Sequence, residues 1–469
     1  MIKFGTGGWR AIIGEEFIKS NVQLLTQALA QKVLKEDPSK KFILGYDRRF
    51  LSDKAARWMS EVIAGNGIEV KIIAKDAPTP LIMYSVKEYG VEYGAAVTAS
   101  HNPADYNGIK VFTKGGRDAS EVVTKDLEEI MEALTEADIK VLDYEKGVEN
   151  GLIEEINPFN EYIDKILTMV NTDAIREKGL KVILDPMHGV SKTSLQTILL
   201  TTRCEVDLIH DRHDTLFGGR LPSPSATTLA RLSNMVVEKG YDIGIGTDGD
   251  ADRLGIIDEK GRFIHPNEIL ALLYYYLLEH KGWNGPVVRN IATTHILDKI
   301  AEDHGQVSYE VPVGFKHISS KMEETEAVIG GESSGGLTIA GHIKGKDGIF
   351  AATLLVEMIC VTGNKLSEVL DEIYSKYGYV CMVENDMKFK KELKPEMMRI
   401  LFEEKRVPDF GYEIEKVSYL DGMKVYFKNG GWVIARFSGT EPLLRIFAEM
   451  PTEEEANKIC DYMKDMLSM

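Results

Sequence analysis

Three successive stretches of this chain repeat one pattern, and that pattern leaves few folds open. In each, short β-rich runs alternate with longer helical patterns, and a loop rich in Gly or Asp follows a strand. Such alternation predicts mixed or parallel sheets covered by helices. In the first stretch, residues 41–46 (KFILGY), 68–73 and 93–98 (YGAAVT) read as strands. A helix is expected from about Asp53 to the stop at Gly65-Asn66-Gly67. The charged run over 120–140 reads as an amphipathic helix. The second stretch starts near Asn157, with strands expected at 181–185, 205–210 and 242–246. The third has them at 254–258, 286–290, 307–311 and 327–330. From about Tyr377 the grammar changes. Strands at 379–388, 424–427, 432–437 and 444–449 are split by turns such as Asn429-Gly430-Gly431, and a helix follows from Thr452. This reads as an antiparallel α+β domain.

The expected fold class is therefore α/β: three βαβ-type mixed-sheet domains plus a C-terminal antiparallel α+β domain. The 469 residues suit this count at about 100–200 residues per domain. The expected boundaries are 1–152, 153–253, 254–374 and 375–469. No low-complexity linker separates them, so they are expected to pack directly on one another.

The formal net charge is −17, which repels nucleic acid and anionic lipid over most of the surface. An anionic ligand would need its basic contacts concentrated in tight clusters. Cys204, Cys360, Cys381 and Cys460 form no CxxC pair and are scattered, as reduced thiols in a cytoplasm would be. The most apolar stretch, 269–278, is too short to span a bilayer and contains three tyrosines. It is expected to be a buried helix.

Four loops carry chemistry. The first is TASHNP (residues 98–103), followed by Asn107-Gly108-Ile109-Lys110. It puts a serine, a histidine and an amide at the C-terminal end of a strand, where α/β sheets place active sites. Read alone it is equally a polar turn with a capping serine. It is not a GxSxG elbow, since Ala99 and His101 flank the serine, which disfavours a hydrolase triad. The second is DGDADR (residues 248–253). Carboxylates at Asp248, Asp250 and Asp252 repel one another unless a cation sits among them, and hard oxygen donors suit Mg²⁺ or Ca²⁺. An EF-hand fits poorly, because Arg253 stands where that loop needs Gly, although Glu259 falls at its twelfth position. The third is GESSGG (residues 331–336), whose glutamate and serines can approach ligand hydroxyls. The fourth is RFSGTEP (residues 436–442), then Arg445, which reads as an anion nest for a phosphate. Taken together they suggest a central cleft where four domains meet.

These four loops, in this order and spacing, resemble those of the α-D-phosphohexomutases, the superfamily of phosphoglucomutases and phosphomannomutases. The resemblance covers the whole chain. The opening FGTGGWR (residues 4–10) also matches the family's N-terminal segment, whose arginine, here Arg10, faces the active site. The resemblance implies an intramolecular phosphotransferase with Ser100 as phosphoserine. It implies Mg²⁺ bound by Asp248, Asp250 and Asp252 together with the Ser100 phosphate. Glu332 and Ser334 would hold sugar hydroxyls. Arg436, Ser438, Gly439, Thr440 and Arg445 would hold the substrate phosphate that is not transferred. Lys110 matches a family lysine beside the reacting phosphate, Arg253 closes the metal loop, and Lys316 lies in a further family loop. His342 corresponds to a family active-site histidine, with a structural role as its alternative.

The implied reaction interconverts hexose 1-phosphate and hexose 6-phosphate through a hexose 1,6-bisphosphate that turns around between half-reactions, with Lys110 or His101 handling the hydroxyl proton. Glucose is the first expected sugar and mannose the second. Phosphoglucosamine mutases tend to carry glutamine and histidine in the sugar loop (GEQSGH-like), where this chain has Ser333 and Gly336. The alternatives are a phosphoglucosamine or phosphopentose mutase, or a catalytically silent sugar-phosphate-binding homologue. The expected partner is a small phosphosugar, with no nucleic acid or membrane, on a cytoplasmic monomer or homodimer.

Overall fold

The run KFILGY becomes the strand Lys41–Tyr46, in the middle of the first sheet. It is parallel to Glu69–Ile73 on one side and to Tyr93–Val97 on the other. The helices Lys19–Glu36 and Ser52–Gly65 pack on this sheet through Val22, Leu25, Leu29, Met59 and Ile63, which meet Phe42 and Leu44 in one core. The computed structural model describes residues 2–5, 7–438 and 443–467. They divide into two units, one of residues 1–269 and 334–367 and the other of residues 270–333 and 368–469.

Unit one holds two sheets. The first adds Tyr106–Thr113 antiparallel to Tyr93–Val97, then Trp9–Ile12 antiparallel to Tyr106–Thr113. Ile153–Ile156 closes its other edge, just past the expected boundary at 152. Asn107-Gly108, for which no strand was expected, lies at the start of one. Gly108 lies where a Cβ would come within 2.2 Å of the Trp9 carbonyl, so the glycine serves close strand approach and not chain reversal. Residues 120–140 are not one helix. The helix Glu121–Glu132, capped by Ser120, ends early, and Thr135 with Asp138 closes a capping box around a separate turn at Glu136–Asp138.

The second sheet runs Phe263–Ile264, Leu254–Ile257, Ile243–Thr247, Lys181–Asp185, Glu205–Leu208. Leu254–Ile257 is a strand, as expected, but pairs antiparallel with Ile243–Thr247 and so belongs to the second sheet, not to the third stretch. DGDADR is thus the reversal between two neighbouring buried strands. The helix Gly348–Thr362, capped by Asp347, is buried along nearly its whole length in this unit.

In unit two, Val287–Asn290 is parallel to Ser308–Val311 and to Ile329–Gly331, the βαβ arrangement expected of the third stretch. The C-terminal sheet is wholly antiparallel, in the order Cys381–Lys388, Leu443–Met450, Trp432–Phe437, Met423–Phe427, Ile414–Ser418, and the helix Glu453–Met466 covers it. Residues 269–278 are buried within the helix Pro266–Glu279. Among the described residues no single helix is long and apolar enough to cross a membrane, and all four cysteines are free.

Candidate active site

The strand Tyr93–Val97 ends at Thr98, whose hydroxyl sets the loop that follows. Thr98 Oγ1 donates to Asp47 Oδ2 at 2.6 Å and accepts from the Ser100 amide at 2.8 Å. Ser100 has φ +52°, a left-handed conformation that costs a non-glycine residue about 1–2 kcal/mol and persists only when neighbours over-determine it. Arg49 does so. Its guanidinium, fully buried, donates to the carbonyls of Ser100 (2.6 Å), Asn102 (2.7 Å), Pro103 (2.7 Å) and Tyr106 (3.0 Å). The sequence reading missed Asp47 and Arg49. Their signal was present, because YDRR ends a strand in the same way that TASHNP does.

Ser100 is 1% exposed, and its Oγ donates to Asp248 Oδ2 at 2.9 Å, with His101 Nδ1 at 3.3 Å. The DGDADR loop comes this close because Gly249 has no side chain, and a Cβ there would lie 2.8 Å from the Ser100 carbonyl. Asp248, Asp250 and Asp252 are wholly buried, with one carboxylate oxygen of each within 4.8 Å of the others. Lys110 Nζ, delivered by the strand Tyr106–Thr113, bridges Asp250 Oδ2 and Asp252 Oδ2 at 2.7 Å each. Thr79 Oγ1 donates to Asp250 Oδ2 at 2.6 Å, and Lys346 Nζ lies 2.7 Å from Asp252 Oδ2. Neither Thr79 nor Lys346 was singled out from the sequence. Arg253 donates its amide to Asp248 Oδ1 at 3.1 Å, and Arg10 reaches Asn102 Oδ1 at 2.7 Å.

The electrostatics set the three carboxylates apart. Burial lifts Asp248 well above the ordinary carboxylate range, and Asp250 and Asp252 add to the lift. Asp252 is held well below that range, because Lys110, Lys346 and Arg253 outweigh the effect of burial. Burial alone would lower Lys110, yet Asp250 and Asp252 hold it above the usual lysine value. Burial, with Arg253 and Arg10, keeps the His101 ring well below the imidazole range and hence neutral. Asp250 Oδ1 and Asp252 Oδ1 are buried acceptors without a donor. Hard, orphaned carboxylate oxygens fit a divalent cation such as Mg²⁺. The EF-hand reading fails, since Glu259 turns away to Ser367 and Leu254–Ile257 is a strand.

The remaining expected residues fall into two groups. In unit two, Glu332 is half-buried, and its Oε1 accepts from the Gly314 amide (2.9 Å) and Asn290 Nδ2 (3.3 Å). Lys316 lies in the first turn of the helix Phe315–Thr325. Arg436 and Arg445 are direct cross-strand partners, an arrangement that repels unless an anion joins it. Arg436 Nε is 2.8 Å from Asp421 Oδ2, Arg445 Nε is 3.4 Å from Asp386 Oδ1, and the Ser438 amide donates to the Leu443 carbonyl. Gly439 and Thr440 lie outside the described residues. In unit one, Ser334 is exposed. His342 is buried. Its Nε2 is 2.8 Å from Asp347 Oδ2, and its ring packs among Tyr84, Tyr162 and Phe350, so it is enclosed by core.

Known proteins resemble this chain along most of its length. Family models described as phosphoglucomutase/phosphomannomutase match in chain order: alpha/beta/alpha domain I over residues 1–138, domain II over 160–261, domain III over 265–377 and the C-terminal domain over 383–466. A phosphoglucomutase/phosphomannomutase of Thermococcus kodakarensis is 30% identical over 459 residues, covering 97% of this chain and 96% of its own. The chain belongs to the phosphoglucomutase/phosphomannomutase family. A relative in Methanopyrus kandleri described as a probable phosphoglucosamine mutase is 31% identical, covering 99% of this chain and 97% of its own. A solved structure described as a phosphomannomutase, from Thermus thermophilus, superposes with a TM-score of 0.86 at 27% identity, covering 100% of this chain and 99% of its own. Members of this α-D-phosphohexomutase superfamily are intramolecular phosphotransferases, which makes this family member an isomerase acting on carbohydrate phosphates.

Proposed function

We propose that this phosphohexomutase interconverts hexose 1-phosphate and hexose 6-phosphate through phosphorylated Ser100, with glucose as its first sugar and mannose its second. The observation that carries the reading is Ser100 Oγ, 2.9 Å from a buried trio of aspartates that has two orphaned oxygens. Asp248, Asp250 and Asp252 would hold Mg²⁺, which supplies charge neutralisation for the phosphoryl oxygens during transfer. Lys110 is pinned between two carboxylates as an ammonium, so its part is to balance charge and orient the loop. His101 presents a ring nitrogen to Ser100 Oγ and is the group placed to carry a proton. In the forward step the bond from phosphorus to Ser100 Oγ breaks and a bond to the sugar hydroxyl oxygen forms. The hydroxyl proton passes to His101 and from it to Ser100 Oγ, which ends as a free hydroxyl. The hexose 1,6-bisphosphate then turns around and returns its other phosphate to Ser100.

Glucose and mannose are favoured over glucosamine by Gly336. A Cβ at that position would lie 2.4 Å from Lys346 Cδ, and Lys346 is engaged with Asp252. A histidine of the GEQSGH type would displace it. The Methanopyrus relative supports glucosamine phosphate as the second reading. A coupled assay on glucose, mannose and glucosamine 1-phosphates, with glucose 1,6-bisphosphate present, separates the two. Higher kcat/KM on glucosamine 1-phosphate than on either neutral sugar overturns the choice of sugar.

Arg436 and Arg445, with Ser438, Gly439 and Thr440, are read as the grip on the phosphate that is not transferred, with Glu332, Ser334 and Lys316 reading the sugar. A charge-assisted hydrogen bond is worth about 1.5–3 kcal/mol, so Arg445→Ala should lower kcat/KM roughly 10–100-fold. The same grip serves both half-reactions. Forward and reverse rates should therefore both fall, and more bisphosphate should escape before turning. A slowdown in one direction only would remove Arg445 from a shared grip.

A further inference from the structure

The grip on phosphate and the reading of sugar are joined by a short hydrogen-bonded path within unit two. We propose that Asp421 is a positioning residue that makes sugar preference depend on the phosphate grip. The inference rests on the reading that Arg436 and Glu332 contact the phosphosugar. Asp421 stands in the turn between the strands Ile414–Ser418 and Met423–Phe427. One oxygen, Oδ2, accepts from Arg436 Nε at 2.8 Å and from the Val313 amide at 2.9 Å. The next amide, that of Gly314, donates to Glu332 Oε1 at 2.9 Å. Two consecutive backbone donors thus hold two carboxylates, one bound to the phosphate arginine and the other the sugar-reading group. The two amides belong to successive peptide planes joined at Val313 Cα, so a shift of one is passed to the other except where the φ and ψ of Val313 absorb it. Asn290 Nδ2 meets Glu332 Oε1 at 3.3 Å from Val287–Asn290 and fixes the far end. Gly314 also caps the helix that carries Lys316, so the same dipeptide sets a third side chain of the region.

Neither end is a bare surface ion pair. The side chains of Arg436 and Asp421 are 18% and 24% exposed, which limits screening by water. Asp421 is nevertheless outside the hydrophobic core of the C-terminal sheet, so its replacement should spare the fold. Without its charge, Arg436 is free to turn and the segment through Val313 and Gly314 loses one of its two anchors. A substrate that draws Glu332 toward its own hydroxyls then meets less resistance, and the difference between hexoses changes.

The test is a double-mutant cycle of Asp421→Asn and Glu332→Gln, with Asp421→Ser as the second variant should the first fail to fold. KM and kcat are measured on glucose 1-phosphate and mannose 1-phosphate, with glucose 1,6-bisphosphate present. Asp421→Asn is expected to raise KM roughly tenfold and to shift the glucose-to-mannose ratio of kcat/KM severalfold, with kcat changed less than KM. In the Glu332→Gln background the shift in ratio should vanish, the non-additivity of groups that act together. Equal losses on both sugars, additive with Glu332→Gln, would confine Asp421 to the phosphate grip and overturn the proposal alone. If Glu332→Gln is itself without effect on either sugar, the site reading falls and the proposal falls with it.

Discussion

Ser100→Ala should abolish turnover, by roughly 10⁵-fold or more, the scale on which loss of a covalent nucleophile acts. The hydroxyl of Ser100 is the only feature of that residue the fold could spare. Its backbone conformation, φ +52°, is imposed by Arg49 and by the Thr98 hydroxyl, and alanine adopts it at the same cost. Asp248 loses one donor, worth about 1–3 kcal/mol if it stays unmatched, which a multidomain chain of this size should tolerate. Sugar-phosphate binding should persist, because Arg436, Arg445 and Glu332 are untouched. The measurement pairs initial rates with calorimetric titration of glucose 6-phosphate and with intact mass. Wild type purified from cells should contain a population heavier by one phosphate, and the variant should not. Turnover near the wild-type rate would end the phosphoserine mechanism.

Asp250→Asn should remove most activity and all of the stabilisation that Mg²⁺ confers. Asp250 Oδ2 is held by Lys110 and Thr79, while Oδ1 is buried without a donor. An amide at this position keeps the shape and removes the negative charge a hard cation needs. In the wild type, Mg²⁺ at about 100 times its Kd adds about 2.7 kcal/mol to the folded state and raises the unfolding midpoint. The variant's midpoint should not respond, and without the cation it should equal or fall below that of the wild type, because Lys110 and Thr79 outweigh burial and hold Asp250 below the ordinary carboxylate range, and the amide gives up that charge pairing. EDTA should silence the wild type reversibly. Full activity in EDTA, or a wild-type midpoint indifferent to Mg²⁺, would remove the metal from this site.

The loops themselves were legible because their chemistry is local. Three carboxylates in five residues repel one another and invite a cation once they are buried, and DGDADR is a buried trio with orphaned oxygens. TASHNP follows a strand, and its serine meets that trio. Periodicity also found most strands, including all those of the C-terminal sheet except Ile414–Ser418, a mostly polar edge strand with no strong alternation. Another strand was missed and one expectation gave way to tertiary context. No strand was expected at Tyr106–Thr113, where Gly108 serves close packing against Trp9–Ile12 and Lys110 arrives beside the aspartates. The charged run after Ser120 has a helical pattern throughout, but the Thr135–Asp138 capping box draws the backbone into a second, shorter turn.

Sequence by itself therefore determined the βαβ grammar and the acidic trio, since each follows from residues near one another in the chain, whereas Ser100 was matched to the trio 148 residues away only through the family resemblance. Only the tertiary structure decided which groups hold those residues in place. Arg49 gathers carbonyls from more than 50 residues away, Lys346 reaches Asp252 from a distant loop, and Asp421 joins Arg436 to the amide of Val313. His342 turned inward to Asp347 for the same kind of reason. A hydrogen bond is set by distance and direction in space. A charged side chain in a sequence does not say which distant carbonyl or carboxylate the fold will bring within about 3 Å of it.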